Sequence, residues 1–199
     1  MEEQTTEQEL KERLSLIESM IAEGRRGTER WGWTFVLWGV AYYVAIAWSV
    51  YGRSDWAWPV TMVAAAAITA IGASRTRYDH PGTLIGRAMG AIWAAVGVAL
   101  FLTLFVLAFT GRFELHVFIV IVGGMLGVAN SISGTILRWK MQGACAFVWW
   151  SLAVAVCFVS TDQAVVLFLA AIFLCQIVFG VYAMISESRR RSRQGATHA

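Results

Sequence analysis

Charge is what this chain has least of, and its distribution is more telling than its amount. Only 15% of the 199 residues are Asp, Glu, Lys or Arg, against about a quarter in an ordinary soluble domain. Six long apolar stretches contain no charged residue at all. Proton-coupled pumps, intramembrane proteases and voltage sensors work through ionisable groups held inside the membrane, and these stretches offer none. Cysteine is also scarce: Cys145, Cys157 and Cys175 all lie in or beside apolar runs. They have neither a disulfide framework nor metal-ligand spacing, so they read as small hydrophobes. No phosphate-cradling glycine loop, nucleophile motif or metal signature is present. The expectation is therefore a non-enzymatic chain with no cofactor, no metal and no nucleic-acid partner. No cleavable signal peptide is visible either, because the first apolar run begins only near Trp31, behind a polar segment.

What the chain has in abundance is apolar surface. It is 58% hydrophobic, with a mean hydropathy of +0.60. A soluble core of this length could not hide so much, whereas a bilayer supplies the apolar phase itself. The runs cover roughly residues 31–51, 57–73, 88–110, 116–137, 143–160 and 163–185. Each suits a helix crossing about 30 Å of hydrocarbon at 1.5 Å per residue. Open strands could not satisfy their backbone in lipid, and barrel-like alternation is absent. The predicted fold is all-α and polytopic: a helical segment 1–30, six transmembrane helices within 31–185, and a basic tail 186–199.

Orientation follows from the cations. Fourteen Lys and Arg residues fall on the side of the N-terminus, including Arg25, Arg26, Arg30, Arg75, Arg87, Arg138, Lys140 and the tail arginines. Only Arg53 and Arg112 fall on the other side. Positive residues resist translocation, so both termini are expected in the cytoplasm. Trp31, Trp33 and Trp139 mark one boundary, and Trp48, Trp56 and Trp58 the other, as interfacial anchors. The short outer loops group the spans into three tight hairpins. Trp38, Trp93 and Trp149 recur at similar depth, which suggests an internal repeat of about 55 residues. Any chain of six similar hairpin halves would show comparable spacing.

Within the spans two kinds of residue stand out. Small side chains recur every four residues: Gly123, Gly127, Ser131 and Thr135; Gly86, Gly90 and Ala94; Ala65, Thr69 and Ala73. Such stripes let helix backbones approach closely, either inside one subunit or, for the fourth span, at a homodimer seam. Polar residues are few. Asn130 and Gln176 are amides at membrane depth, suited to cross-helix hydrogen bonds or to binding a solute. Outside the spans, Tyr78-Asp79-His80-Pro81-Gly82 reads as a turn. Glu114 and His116 are too few for a metal site.

The segment before the first span has its own pattern. Thr6 with Glu9 resembles a capping box, and Gly24 is a plausible stop. Between them Leu10, Leu14, Ile17 and Ile21 recur at steps of four, three and four, widened by Leu16 and Met20. That is an apolar stripe on one helix face. Residues 1–23 carry seven acids against Lys11 and Arg13, which counts against an anionic membrane surface as the partner. A coiled coil with its own copy or a cytosolic protein, and docking against the basic inner loops, are the other two occupants.

Leu14-Ser15-Leu16-Ile17-Glu18-Ser19-Met20-Ile21, Arg25-Arg26 and Trp33-Thr34-Phe35-Val36-Leu37-Trp38-Gly39 together resemble the opening of an uncharacterised family of small bacterial multi-pass inner-membrane proteins. Some of these are encoded beside a small winged-helix regulator. The likeness covers roughly residues 10–40. It implies a bacterial inner-membrane location and transfers no functional residue, because the family has no established activity.

Two functional classes follow. One is a membrane protein acting by contact, as scaffold, regulatory partner or sensor, through the face Leu10, Leu14, Ile17 and Ile21. The other is a small transporter or channel for a neutral or apolar solute, with Trp38, Trp93, Trp149, Asn130 and Gln176 lining a vestibule.

Overall fold

The computed structural model describes residues 2–54, 56–79 and 84–196. Every regular element among them is helical. In order these are α1 (Glu2–Arg30), α2 (Gly32–Tyr51), α3 (Ala57–Asp79), α4 (Leu84–Phe109), α5 (Leu115–Ile136), α6 (Lys140–Ala155), α7 (Thr161–Ile172) and α8 (Phe179–Ala196). A 3-10 turn, Val156–Phe158, extends α6, and a π-helical stretch, Phe173–Val178, fuses α7 to α8. Six helical stretches are long and apolar enough to cross a membrane: Gln8–Tyr51, Ala57–Arg75, Leu84–Phe109, Leu115–Ile136, Lys140–Phe158 and Thr161–Arg190. Residues 80–83, most of the expected Tyr78–Gly82 turn, lie outside the described residues.

Burial divides the helices into a core and a rim. Residues of α2, α5, α6, α7 and α8 supply nearly all the buried apolar side chains. Met89 is the buried residue of α4, and Ala57 and Ala65 those of α3. α2 packs along α3, α4 against α5 and α6 against α7, yet the most extensive contact joins α5 to α6. Glycine makes that contact possible: a Cβ on Gly134 would sit 2.8 Å from the backbone nitrogen of Gly143, and one on Gly123 3.0 Å from the carbonyl of Trp149. Dispersion and backbone proximity, rather than water exclusion, hold such helices together in lipid. α2 crosses α8 just as closely, since a Cβ on Gly180 would lie 2.8 Å from the carbonyl of Gly32.

The expected small-residue stripes are partly redrawn. Gly123 and Gly127 face α6, but Ser131 is half-buried and Thr135 exposed, and the seam continues through Asn130 and Gly134 instead. It is an intrasubunit seam. In α4, by contrast, a Cβ on Gly90 of the stripe, or on Gly97 beyond it, would meet nothing within 4 Å. The expected limits of the first helix also move. α1 already runs from Glu2, so Thr6 lies inside it rather than at a cap. Gly24 does not stop it: the residue sits where a side chain would collide with Ile85 and lie 3.0 Å from Leu137. The glycine admits a docking contact and the helix continues to Arg30.

The turns are closed by local chemistry. After α4, Gly111 adopts φ +67 and the Arg112 N–H donates to the Leu107 carbonyl at 2.9 Å. After α5 the same closure recurs, with the Trp139 N–H donating to the Gly134 carbonyl at 2.8 Å. There the left-handed position is taken by Arg138, φ 48, a conformation that glycine adopts without steric cost.

Candidate functional site

Two places combine unusual chemistry with definite geometry. The first is a column of polar side chains inside the α5–α6 seam. Asn130 is 1% exposed, and Ser133 and Gln142 are wholly buried. The Asn130 amide nitrogen donates to the Leu126 carbonyl at 2.8 Å, which occupies one end of the side chain. Its Oδ1, the Ser133 hydroxyl and both ends of the Gln142 amide have no protein partner, nor do the indole N–H groups of Trp139 and Trp149. Apart from atoms of the Arg25–Glu29 ion pair, every buried side-chain polar atom without a partner among the described residues thus belongs to α5, α6 or the turn between them. An unpaired buried polar group costs about 1–3 kcal/mol, so the seam is polar at the expense of stability. The unpaired atoms include both acceptors (Asn130 Oδ1, Gln142 Oε1) and donors (Gln142 Nε2 and the two indole N–H groups).

The π-helical stretch lies against this region. Its wider turn carries Cys175 and Gln176 into the core at adjacent positions. The Cys175 thiol donates to the Cys145 carbonyl on α6 at 3.7 Å. Gln176 is 4% exposed, and its Cβ lies 2.9 Å from the place a side chain on Gly39 would occupy. Such π segments interrupt a regular helix and recur at functional positions.

The three tryptophans go to different surroundings. Trp149 is fully buried beside Phe168, with ring centroids 6.3 Å apart. Trp93 meets Phe35 edge-on at 5.2 Å, and Phe35 in turn meets Phe179 at 5.0 Å. Trp38 is half-buried against the core and has no ring partner among the described residues. Trp149 and Asn130 therefore share the α5–α6 region, whereas Trp93 belongs to a cluster nearer α2 and α8. Tyr42, Trp58, Phe118 and Phe168 form an aromatic group toward the end remote from the termini, and Trp149 joins it through Phe168.

The second place is α1. Its last two turns are clamped to the bundle. The Glu29 carboxylate is wholly buried and ion-paired to Arg190 of α8 at 2.8 Å and to Arg25 at 3.3 Å. The Arg25 guanidinium also lies over the Trp139 ring, 5.1 Å from its centroid. Both arginines remain more than a third exposed, so solvent screens part of this attraction. Beyond the clamp the cover ends. Ile21 is half-buried, while Leu10, Leu14, Leu16 and Ile17 are 53–61% exposed. The stripe is thus held out from the bundle on a fixed base.

Glu29 and Gln142 carry much of this geometry and were not expected from the sequence. The partner of Glu29 is 161 residues away. Gln142 stands two residues after Lys140, where a polar residue looks like the end of a span. No protein-family model, curated protein or solved structure matches the chain.

Proposed function

We propose that this is a multi-pass inner-membrane protein with both termini in the cytoplasm, its spans grouped as three hairpins, acting without catalysis by protein contact through α1. The observation that carries the reading is the contrast along one helix. The base of α1 is fixed by Gly24 and Glu29, and its distal apolar stripe is left exposed by the described residues. Exposing three large aliphatic side chains in succession is unfavourable in water, and an acidic helix does not gain from an anionic membrane surface. A protein partner removes that cost. The test is removal of residues 1–19, which spares Gly24 and Glu29, followed by isolation of complexes from membranes. Loss of co-purifying protein or of self-association is expected; an unaltered set would contradict the reading.

A second reading rests on the polar column. A small neutral solute with donors and acceptors would satisfy Asn130, Ser133 and Gln142. Uptake into proteoliposomes, reduced by Asn130→Leu and by Gln142→Leu, is its expected signature.

A further inference from the structure

We propose that the partner of the α1 stripe is a second copy of the same chain, bound in parallel through residues Leu10–Ile21. This rests on the contact reading above and names its occupant. Leu10, Leu14, Ile17 and Ile21 alternate steps of four and three, the repeat by which two helices wind together with their apolar seams facing. The charges agree with that arrangement. Glu9, Glu12 and Glu23 fall on the outer face, away from the seam, and the flanking positions hold Lys11, Arg13 and Glu18. In a parallel pair, a residue just before one core position faces the residue five places later in the partner. Here that sets Arg13 of each copy against Glu18 of the other, giving two opposite-charge pairs by symmetry and no facing like charges. Glu18 has no ion-pair partner among the described residues, and Arg13 holds only an exposed contact to Glu9 at 2.6 Å. Both are available.

The surroundings set the direction and the length of the pairing. Two copies inserted the same way in one membrane present their α1 helices in parallel. Three residues beyond Ile21 the stripe reaches Gly24, which is packed on Ile85 and Leu137 of its own bundle, so the pairing ends there. Two heptads are marginal for free peptides. Confinement to a membrane plane on a clamped base raises the effective concentration and lowers the ordering cost.

Single cysteines test this in membranes, on a Cys157→Ala background because Cys157 is the exposed native thiol. Oxidative crosslinking is expected to be about fivefold stronger at Leu14→Cys and Ile17→Cys, on the seam, than at Glu12→Cys and Ser19→Cys on the outer face. Glu18→Arg should weaken the Leu14→Cys crosslink about fivefold, and adding Arg13→Glu should restore it. All these positions precede the apolar run 31–51 and are exposed, so the fold is not at stake. Equal crosslinking around the helix, or no rescue by the double swap, overturns the pairing. If that occurs while removal of residues 1–19 still changes the co-purifying proteins, the contact reading stands with a different partner. An unchanged set overturns both.

Discussion

α4 and α5 are neighbours in sequence, pack against each other and are similarly apolar, yet one is rim and the other core. α4 spans 26 residues with Met89 buried; α5 spans 22 and buries ten. Both contain repeated glycines. The difference lies in what opposes them. In α5 a turn of glycines and small polar groups meets the backbone of α6. In α4, Gly90 and Gly97 face open space, and Phe101, Phe105 and Phe109 stack along the exposed face at centroid spacings of 6.0 and 6.2 Å. Hydropathy decides which segments enter lipid; close approach of backbones decides which of them form the interior.

Six substitutions would break or sharpen that contrast. The largest effect is expected at Gly134. Gly134→Ala drives a methyl group into the Gly143 backbone and should cost about 1–3 kcal/mol, read as a lower unfolding temperature in detergent. Gly90→Ala or Gly97→Ala in α4 should instead stabilise by about 0.5–1 kcal/mol through helix propensity; the same sign at both sites would erase the distinction. Next comes the buried carboxylate that ties α1 to α8. Glu29→Gln removes the charge that holds Arg25 and Arg190, and should release the base of α1 by about 1–2 kcal/mol, allowing for the exposure of both arginines. Faster tryptic cleavage at Arg25, Arg26 and Arg30 would report it. Third, Gln142→Met should leave the bundle unchanged or stabilise it by about 1 kcal/mol, since it removes two unpaired polar atoms from the seam; marked destabilisation would show that the amide is satisfied within the protein. The smallest is Arg138→Gly, expected to stabilise the α5–α6 turn by about 0.5–1 kcal/mol by relieving the left-handed backbone, measured in the same melts.

Much of this was legible in the sequence, for reasons that also mark where it stopped. The six apolar helices follow from composition alone, because lipid requires a closed hydrogen-bonded backbone over a fixed length. Gly123 and Gly127 could be read as one face. Extending the stripe by further steps of four could not succeed, because each such step turns about 40° around the helix. Ser131 and Thr135 therefore drift off the seam while Asn130 and Gly134 come onto it. Gly24 looks the same in a sequence whether it ends a helix or admits a neighbour. The outward glycines of α4 and the inward glycines of α5 are likewise alike until the opposing helix is placed. The unpaired state of Asn130, Ser133 and Gln142 depends on contacts that no local pattern records.

The account of α1 as a cytoplasmic contact helix depends on which side of the membrane carries the basic end. Labelling intact cells with an impermeant thiol reagent decides it, on the Cys157→Ala background. Arg112→Cys, in the turn between α4 and α5, should react in intact cells, and Ser19→Cys only after permeabilisation. Reaction of Ser19→Cys from outside intact cells would contradict the orientation and, with it, the proposed role of α1.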